Sequence, residues 1–442
     1  MNLQGVRALV VGMKRSGVAS AKLLLRLGAQ VRATDLKPLA DLPDAAGLDV
    51  PFSVQTPEVF QNCDLIVLSP DVPFDLPALI EARGRGVKVL GEVEFAAPFL
   101  KGRTIGITGS NGKTTTTSLI GHILREAGLT VQVGGNIGVP VTAMVDSSRN
   151  DGWNVLELSS FQLETIAEFR AHIALALNVT QNHLDRHHTF EAYAAAKRRL
   201  FETQRAGDFA VLNAEDPMCV SYASHTAAEV NWFSGRRKVE PGAHLCADKL
   251  VLDGKLLMTA GEIPIRGRHN VENVLAASIA AARAGVAREV IAGAVRTFKA
   301  VEHRLEFVRS LNGVDFYNDS KATSVDATLK ALDAFPGGLW VILGGKDKGL
   351  DYTALRESLA AKARAALLIG AAAPKIAEMF RGSVALVDAG TLDAAVRHAQ
   401  AHAIPGDTVL LAPACASFDQ FKSFEHRGET FKAIVNALGE KG

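Results

Sequence analysis

The chain has 442 residues, 48% hydrophobic and 21% charged, which at about 150 residues per domain suggests about three globular domains and excludes disorder as its dominant state. With 48 Lys and Arg against 47 Asp and Glu and only 6% aromatic residues, neither a nucleic-acid-coating field nor a base-stacking platform is favoured, although a local basic pocket is not excluded.

The first third alternates β-branched runs with helical patterns. Residues 6–11 read as a strand, 18–27 as a helix ended by Gly28, and 31–34, 65–68 and 87–90 as further strands. Strands alternating with helices specify βαβ units on a parallel sheet. A second series opens with a strand at 104–108 and includes 155–158, 173–179 and 210–213. It runs into a turn-rich stretch at 232–267 with short strand-like pieces such as 249–252, then an Ala-rich helix at 270–284. A third series follows, with strands at 314–317, 339–343, 366–369 and 408–411. Cys63, Cys219, Cys246 and Cys415 form no CxxC pair, which argues against a disulfide framework or a structural zinc. No uncharged stretch reaches the length of a membrane span, so a reducing, cytoplasmic location is expected.

Two strand-to-helix turns carry chemistry. Gly12-Met13-Lys14-Arg15-Ser16-Gly17, with Asp35 ending the next strand, has the layout of a dinucleotide fingerprint, but Lys14 replaces the glycine that lets a pyrophosphate approach the backbone. Lys14 and Ser16 suit a diphosphate; the alternative is a strand–turn–helix with no ligand. The second turn, Thr108-Gly109-Ser110-Asn111-Gly112-Lys113-Thr114-Thr115, is close to a phosphate loop, with Ile107 where the first glycine of the strict motif would stand. Its backbone N–H groups would cradle phosphates, Lys113 would reach them, and the Thr114 hydroxyl would ligate Mg²⁺. Glu157 ends a later strand on the same side of the sheet and suits the same ion. His183 follows another strand, but Asp185, His187 and His188 crowd that loop and leave the choice of ligand open. Lys197, on a helix at 190–201, reads on its own as an exposed surface lysine.

Several motifs together carry a resemblance. The phosphate loop, Gly134-Gly135-Asn136-Ile137-Gly138, Leu156-Glu157-Leu158-Ser159-Ser160, Asn178-Val179-Thr180, His183-Leu184-Asp185-Arg186 and Tyr193-Ala194-Ala195-Ala196-Lys197 resemble the Mur ligases. His269-Asn270-Val271-Glu272-Asn273 and Glu302-His303-Arg304 continue the match; Asp319-Ser320-Lys321-Ala322-Thr323 and 414–421 point to the branch that adds D-glutamate. The resemblance implies an α/β protein of three domains: a Rossmann-like N-terminal domain (1–93) for the UDP substrate, a P-loop-type central domain with a parallel sheet (94–298) for ATP and Mg²⁺, and a Rossmann-like C-terminal domain (299–442) for the amino acid. The implied activity is an ATP-dependent ligase adding D-glutamate to UDP-N-acetylmuramoyl-L-alanine in peptidoglycan precursor synthesis. The partners are small molecules, with no nucleic acid and no membrane span, and the chain is expected to be a monomer.

Roles follow by resemblance only. Gly109, Ser110, Asn111, Gly112, Lys113, Thr114 and Thr115 would bind ATP, with Asn270, Asn273, Arg304, Asp319 and Lys321 holding the nucleotide. Two Mg²⁺ sites would use Thr114, Glu157, His183 and Lys197, the last as a carbamylated lysine, and the catalytic set would be Lys113, Glu157, His183 and Lys197. Lys14, Arg15, Ser16, Asp35, Asn136 and His183 would contact the UDP substrate; Thr323, Lys348, Ser417 and Phe424 would form the D-glutamate site. Lys346 competes with Lys348, and Phe424 suits a core position equally well. Two departures from the family pattern stand out: the first turn lacks its second glycine, and Ser69-Pro70-Asp71 replaces Ser-Pro-Gly, which would set a carboxylate near a diphosphate. Rival readings are another amino-acid-adding ligase of the superfamily, a nucleotide-switched binding protein and a dinucleotide-dependent oxidoreductase.

Overall fold

The computed structural model describes residues 2–299, 301–347 and 349–439, with Asp185 described in its backbone only. These form two compact units, Met1–Glu262 with Glu272–Arg296, and Ile263–Val271 with Thr297–Gly442.

The first unit holds two sheets. One has five parallel strands in the spatial order Phe52–Val54, Gln30–Asp35, Arg7–Val11, Leu65–Leu68, Lys88–Gly91. The strand order reverses between Arg7–Val11 and Leu65–Leu68, and the Gly12–Gly17 turn leaves the first of these. That is the switch point where open α/β sheets take ligands. Successive residues of Arg7–Val11 bury on opposite faces, Val10 against Ala21 and Leu24, Leu9 and Val11 against Phe60 and Leu79. A strand buried on both faces reads as a continuous apolar run, which is what residues 8–11 show.

The second sheet has nine strands, with Arg103–Thr108 between Trp153–Glu157 and Ile173–Ala176, all parallel. Register sets Ile107 beside Glu157 and Thr108 beside Ala176. The phosphate loop, Glu157 and the 177–183 loop therefore leave the same edge side by side. The stretch expected to be turn-rich is instead ordered sheet: Glu229–Ser234 and Gly242–Cys246 add parallel strands, and Lys249–Leu252 and Lys255–Thr259 an antiparallel hairpin. Pieces of four to six residues separated by tight turns leave too short a period to read. Strand Val131–Gly135 was likewise hidden, because its two glycines and a polar Gln132 mask the pattern.

The second unit holds a six-stranded sheet. Glu306–Leu311 pairs antiparallel with Val314–Asn318; Thr408–Leu411, Leu339–Gly344, Ala363–Ile369 and Leu386–Gly390 then follow in parallel. Val341 and Leu343 face Leu359 and Ile376, while Ile342 faces Val396 and Phe431. The segments after three adjacent strands, beginning at Asp319, Ala412 and Gly345, emerge together. No helix among the described residues is long and apolar enough to cross a membrane.

Candidate active site

The phosphate loop is braced by the neighbouring strand's exit. Asn111 N donates to Asn178 Oδ1 (2.8 Å), Asn178 Nδ2 to Asn111 O (3.1 Å), and Ser110 N to Asn178 O (2.8 Å). Ser110 Oγ donates to Thr180 O (2.9 Å) and pairs with the Tyr193 hydroxyl (2.9 Å). Gly112 caps the helix Lys113–Glu126 at φ +85°, and a Cβ there would meet Asn273 Oδ1 at 2.4 Å. Asn273 thus packs directly on the loop. Thr114 and Thr115 are buried in the first helical turn.

Two lysines converge on one carbonyl. Lys113 Nζ donates to Gly109 O (2.9 Å) and Ser110 O (3.1 Å); Lys197 Nζ donates to the same Gly109 O (3.0 Å) and to Thr108 Oγ1 (3.4 Å). Lys197 is only 1% exposed, which overturns the expectation of a surface lysine. The helix Phe190–Glu202 turns that face inward, and the Tyr193 ring lies 4.6 Å from the ammonium. Burial, reinforced by the Lys113 charge, drives the Lys197 pKa well below the usual lysine range.

Glu157 is 2% exposed; Oε1 accepts from Asn136 Nδ2 (2.8 Å), while Oε2 is buried without a hydrogen-bond partner. A carboxylate with one oxygen fixed and the other bare in a buried site fits a cation. Of the crowded histidines, His187 is committed to Ser160 Oγ (3.0 Å), and exposed His188 sits 3.9 Å from Asp75. His183 is exposed at φ +53°, its ring edge-on to Phe161 at 5.0 Å and 6.3 Å from Tyr193. Arg186, which sequence reasoning gave no role, stacks on Phe161 (5.0 Å), pairs with Glu164 and donates to Asp71 O (3.2 Å) and Val72 O (2.8 Å).

In the first turn Asp35 uses Oδ2 on Met13 N (2.6 Å) and Oδ1 on Lys37 N (3.1 Å), so it shapes the turn itself. Asp71 pairs with Lys14 at 2.7 Å. Arg15 opens the helix Arg15–Arg26 and Ser16 O accepts from Ser20 Oγ (2.8 Å).

In the second unit Asn270 Nδ2 donates to Arg266 O (2.6 Å). Asp319 is buried and its pKa is pushed up to about 6 by that burial, with Arg304 opposing the shift. Arg304 Nε is buried without a partner. Lys321 Nζ lies 5.6 Å from the Phe424 ring centre, and Ala322 N donates to Asp319 O (2.9 Å), which shapes the turn leading to Thr323. Ser417 is 2% exposed with an unpartnered Oγ. Lys348 lies outside the described residues; its neighbour Asp347 accepts from Lys375 Nζ (3.1 Å) and Tyr352 OH (3.0 Å).

Family models match in chain order: the Mur ligase MurD-like N-terminal domain at residues 6–91, the Mur ligase middle domain at 107–281, and the Mur ligase glutamate ligase domain at 303–415. The UDP-N-acetylmuramoylalanine–D-glutamate ligase of Solibacter usitatus is 80% identical over 441 residues, covering 100% of both chains. The chain belongs to the Mur ligase family. A second ligase of that name, from Acidobacterium capsulatum, is 51% identical over 99% of this chain and 97% of its own. The solved UDP-N-acetylmuramate–alanine ligase of Thermotoga maritima shares the fold at a TM-score of 0.62 and 18% identity, covering 98% of this chain and 99% of that one. For this Mur ligase, then, the groups that sequence reasoning passed over are those acting through backbone: Asn178 on the phosphate loop and a fully buried arginine, Arg427, behind Ser417. Arg427 stands three residues after Phe424 in an ordinary helical pattern, and nothing in that pattern marks it as buried.

Proposed function

We propose that the protein is an ATP-dependent ligase that joins D-glutamate to UDP-N-acetylmuramoyl-L-alanine, making a peptidoglycan precursor, and that it works in the cytoplasm as a monomer. The observation that carries the chemistry is the meeting of Lys113 and Lys197 at Gly109 O beside the phosphate loop. The choice of substrates rests on the likeness to full-length relatives bearing that name.

In this reading the γ-phosphoryl group passes from ATP to the alanine carboxylate: a P–O bond to the carboxylate forms and the bond to the β-phosphate oxygen breaks. The amine of D-glutamate attacks the acyl carbon and forms the C–N bond, the nitrogen loses a proton, and the C–O bond to phosphate breaks with its electron pair leaving on phosphate. Lys113 exchanges its loop carbonyls for phosphate oxygens, and the N–H groups of 109–115 cradle them. Thr114, Glu157, His183 and Lys197 would hold Mg²⁺ across two sites, and the ion would supply positive charge that lets two anions meet. Lys197 can serve as a ligand only as a carbamate, formed when its neutral amine adds CO₂ and releases a proton. Its depressed pKa supplies that neutral amine. Asn136 fixes the Glu157 carboxylate and, with Lys14, Arg15, Ser16 and Asp35, serves the UDP substrate. Asn270, Asn273, Arg304, Asp319 and Lys321 serve the nucleotide, and Thr323, Lys348, Ser417 and Phe424 serve D-glutamate.

Phosphate release from ATP, measured with UDP-N-acetylmuramoyl-L-alanine and a panel of amino acids, tests the reading. Release is expected with D-glutamate; release with another amino acid but not with D-glutamate overturns the substrate.

A further inference from the structure

Arg186 stands in the short helix Leu184–His187, which His183 opens, and its side chain is only 11% exposed. The guanidinium reaches three segments of the first unit at once. Nη1 donates to Asp71 O (3.2 Å) and Nη2 to Val72 O (2.8 Å), Nη2 also meets the Glu164 carboxylate, and the group lies 5.0 Å from the centre of the Phe161 ring. Glu164 balances the charge. The two carbonyls and the ring fix the direction of the fork, a demand that suits a planar guanidinium and not an ammonium.

Two of the anchored segments lead to groups that the reading above assigns to the UDP substrate. Residues 69–72 pack against the first glycine turn. Ser69 Oγ donates to Gly12 O (2.6 Å), Val72 N donates to Ser69 O (3.0 Å), and a Cβ on Gly12 would stand 2.9 Å from Ser69 Cβ and 3.0 Å from Val72 Cγ2. Fixing Asp71 and Val72 therefore fixes the turn that carries Lys14, Arg15 and Ser16. On the other side, the Phe161 ring lies edge-on to His183 at 5.0 Å, and Arg186 N donates to His183 O (3.1 Å). His183 holds φ +53°, a left-handed backbone that a residue with a Cβ keeps only where its surroundings enforce it. One side chain thus ties the first turn to the His183 loop.

We propose that Arg186 is the positioning residue that sets the first glycine turn against His183, so that a UDP-sugar gripped at its diphosphate presents its carboxylate end at His183. The proposal rests on the reading above, in which Lys14, Arg15, Ser16 and His183 all serve the UDP substrate. Arg186 touches no substrate in this arrangement; it acts through the backbone of residues 71–72 and through the Phe161 ring.

The test is calorimetric titration of UDP-N-acetylmuramoyl-L-alanine into protein free of ATP and Mg²⁺, followed by steady-state kinetics, on Arg186→Met, Arg186→Lys, Glu164→Gln and Ser69→Ala. For Arg186→Met the Kd of the UDP substrate should rise about tenfold, equivalent to about 1.4 kcal/mol, while the KM values for ATP and D-glutamate change less than about twofold. Arg186→Lys keeps the charge but not the fork, and should still bind about fivefold more weakly than wild type. Glu164→Gln leaves the carbonyls and the ring in place, and should alter the Kd less than about twofold. Ser69→Ala, which frees Gly12 O from the same path, should weaken binding about threefold, and adding it to Arg186→Met should cost less than it does alone. An unchanged Kd in Arg186→Met, wild-type binding by Arg186→Lys, a loss in Glu164→Gln as large as in Arg186→Met, full additivity with Ser69→Ala, or an equal rise in all three KM values overturns the proposal. If Arg186→Met does not fold, Arg186→Lys and Ser69→Ala decide, since an unchanged Kd in both is equally fatal. Failure of the underlying reading shows elsewhere, in wild-type protein that does not bind the UDP substrate at all.

Discussion

The first unit contains two glycine turns at the ends of central parallel strands, Gly12–Gly17 and Gly109–Lys113, and each places a lysine at a helix N-terminus. In the first, Lys14 reaches out to Asp71, an exposed pair at 2.7 Å, and Asp35 is spent on Met13 N. In the second, Lys113 folds onto its own loop and shares Gly109 O with Lys197, while Glu157 keeps a bare buried oxygen. The local designs are alike, and their charges are settled differently: one turn meets its lysine with an exposed carboxylate, while the other sets half-buried Lys113 beside a second lysine, Lys197, that the fold buries. A glycine turn with a lysine thus does not fix how its charge is met; what distinguishes the second is how far the surrounding sheet buries it.

The sharpest way to probe that contrast is Lys197→Met. Turnover should fall by on the order of 10³, as when a group stabilising transition-state charge is lost. Stability should move the other way. The folded-state pKa of Lys197 is depressed, so between that pKa and the unfolded one the unfolded chain binds more protons than the folded chain and stability rises with pH. Wild-type Tm in CO₂-free buffer should therefore rise with pH towards the ordinary lysine pKa of about 10.4, and Lys197→Met should exceed wild type at pH 7. Bicarbonate should raise the Tm of wild type alone. A Met variant less stable than wild type in CO₂-free buffer at pH 7 would mean that burying the Lys197 amine is not the burden argued here.

The glycines separate the turns next. A Cβ on Gly17 would stand 1.8 Å from Gly12 O, a backbone atom that cannot retreat, whereas one on Gly112 meets the movable Asn273 side chain at 2.4 Å. Gly17→Ala should cost about 3 kcal/mol of stability, the upper end of overpacking. Gly112→Ala should cost about 1–2 kcal/mol, from the left-handed backbone, and should show mainly as a higher KM for ATP. Denaturant melts alongside ATP titrations separate the two; equal stability losses would erase the distinction.

How much of this was legible follows from where each signal resides. The parallel cores announced themselves because strands such as 339–344 are apolar on both faces, and the phosphate loop because its glycines and Lys113 are contiguous. Lys197 was misread without the resemblance, since helical spacing cannot say which face a sheet will cover. Arg427 was missed for the same reason, its partners being backbone carbonyls more than a hundred residues away at Ser320 and a dozen away at Cys415. Glu157 is singled out by its place at a strand end, but its orphaned oxygen is a property of packing alone.

The smallest expected effect bears most directly on the first turn. Lys14 and Asp71 are 70% and 64% exposed, so their pair contributes at most about 1 kcal/mol, and Asp71→Ala should leave Tm nearly unchanged. Its consequence lies in ligand charge. Without the carboxylate, Lys14 is available to a diphosphate, and the KM for the UDP substrate should fall about two- to threefold at low salt, an advantage that fades at 0.5 M salt as screening shortens to about 4 Å. Arg186 holds this segment by Asp71 O and Val72 O, which are backbone atoms, so the substitution leaves the segment in place and isolates the charge. A higher KM in Asp71→Ala would show the opposite relation, with Asp71 aiming Lys14 at the diphosphate and the first turn depending on its carboxylate as much as the second depends on Glu157.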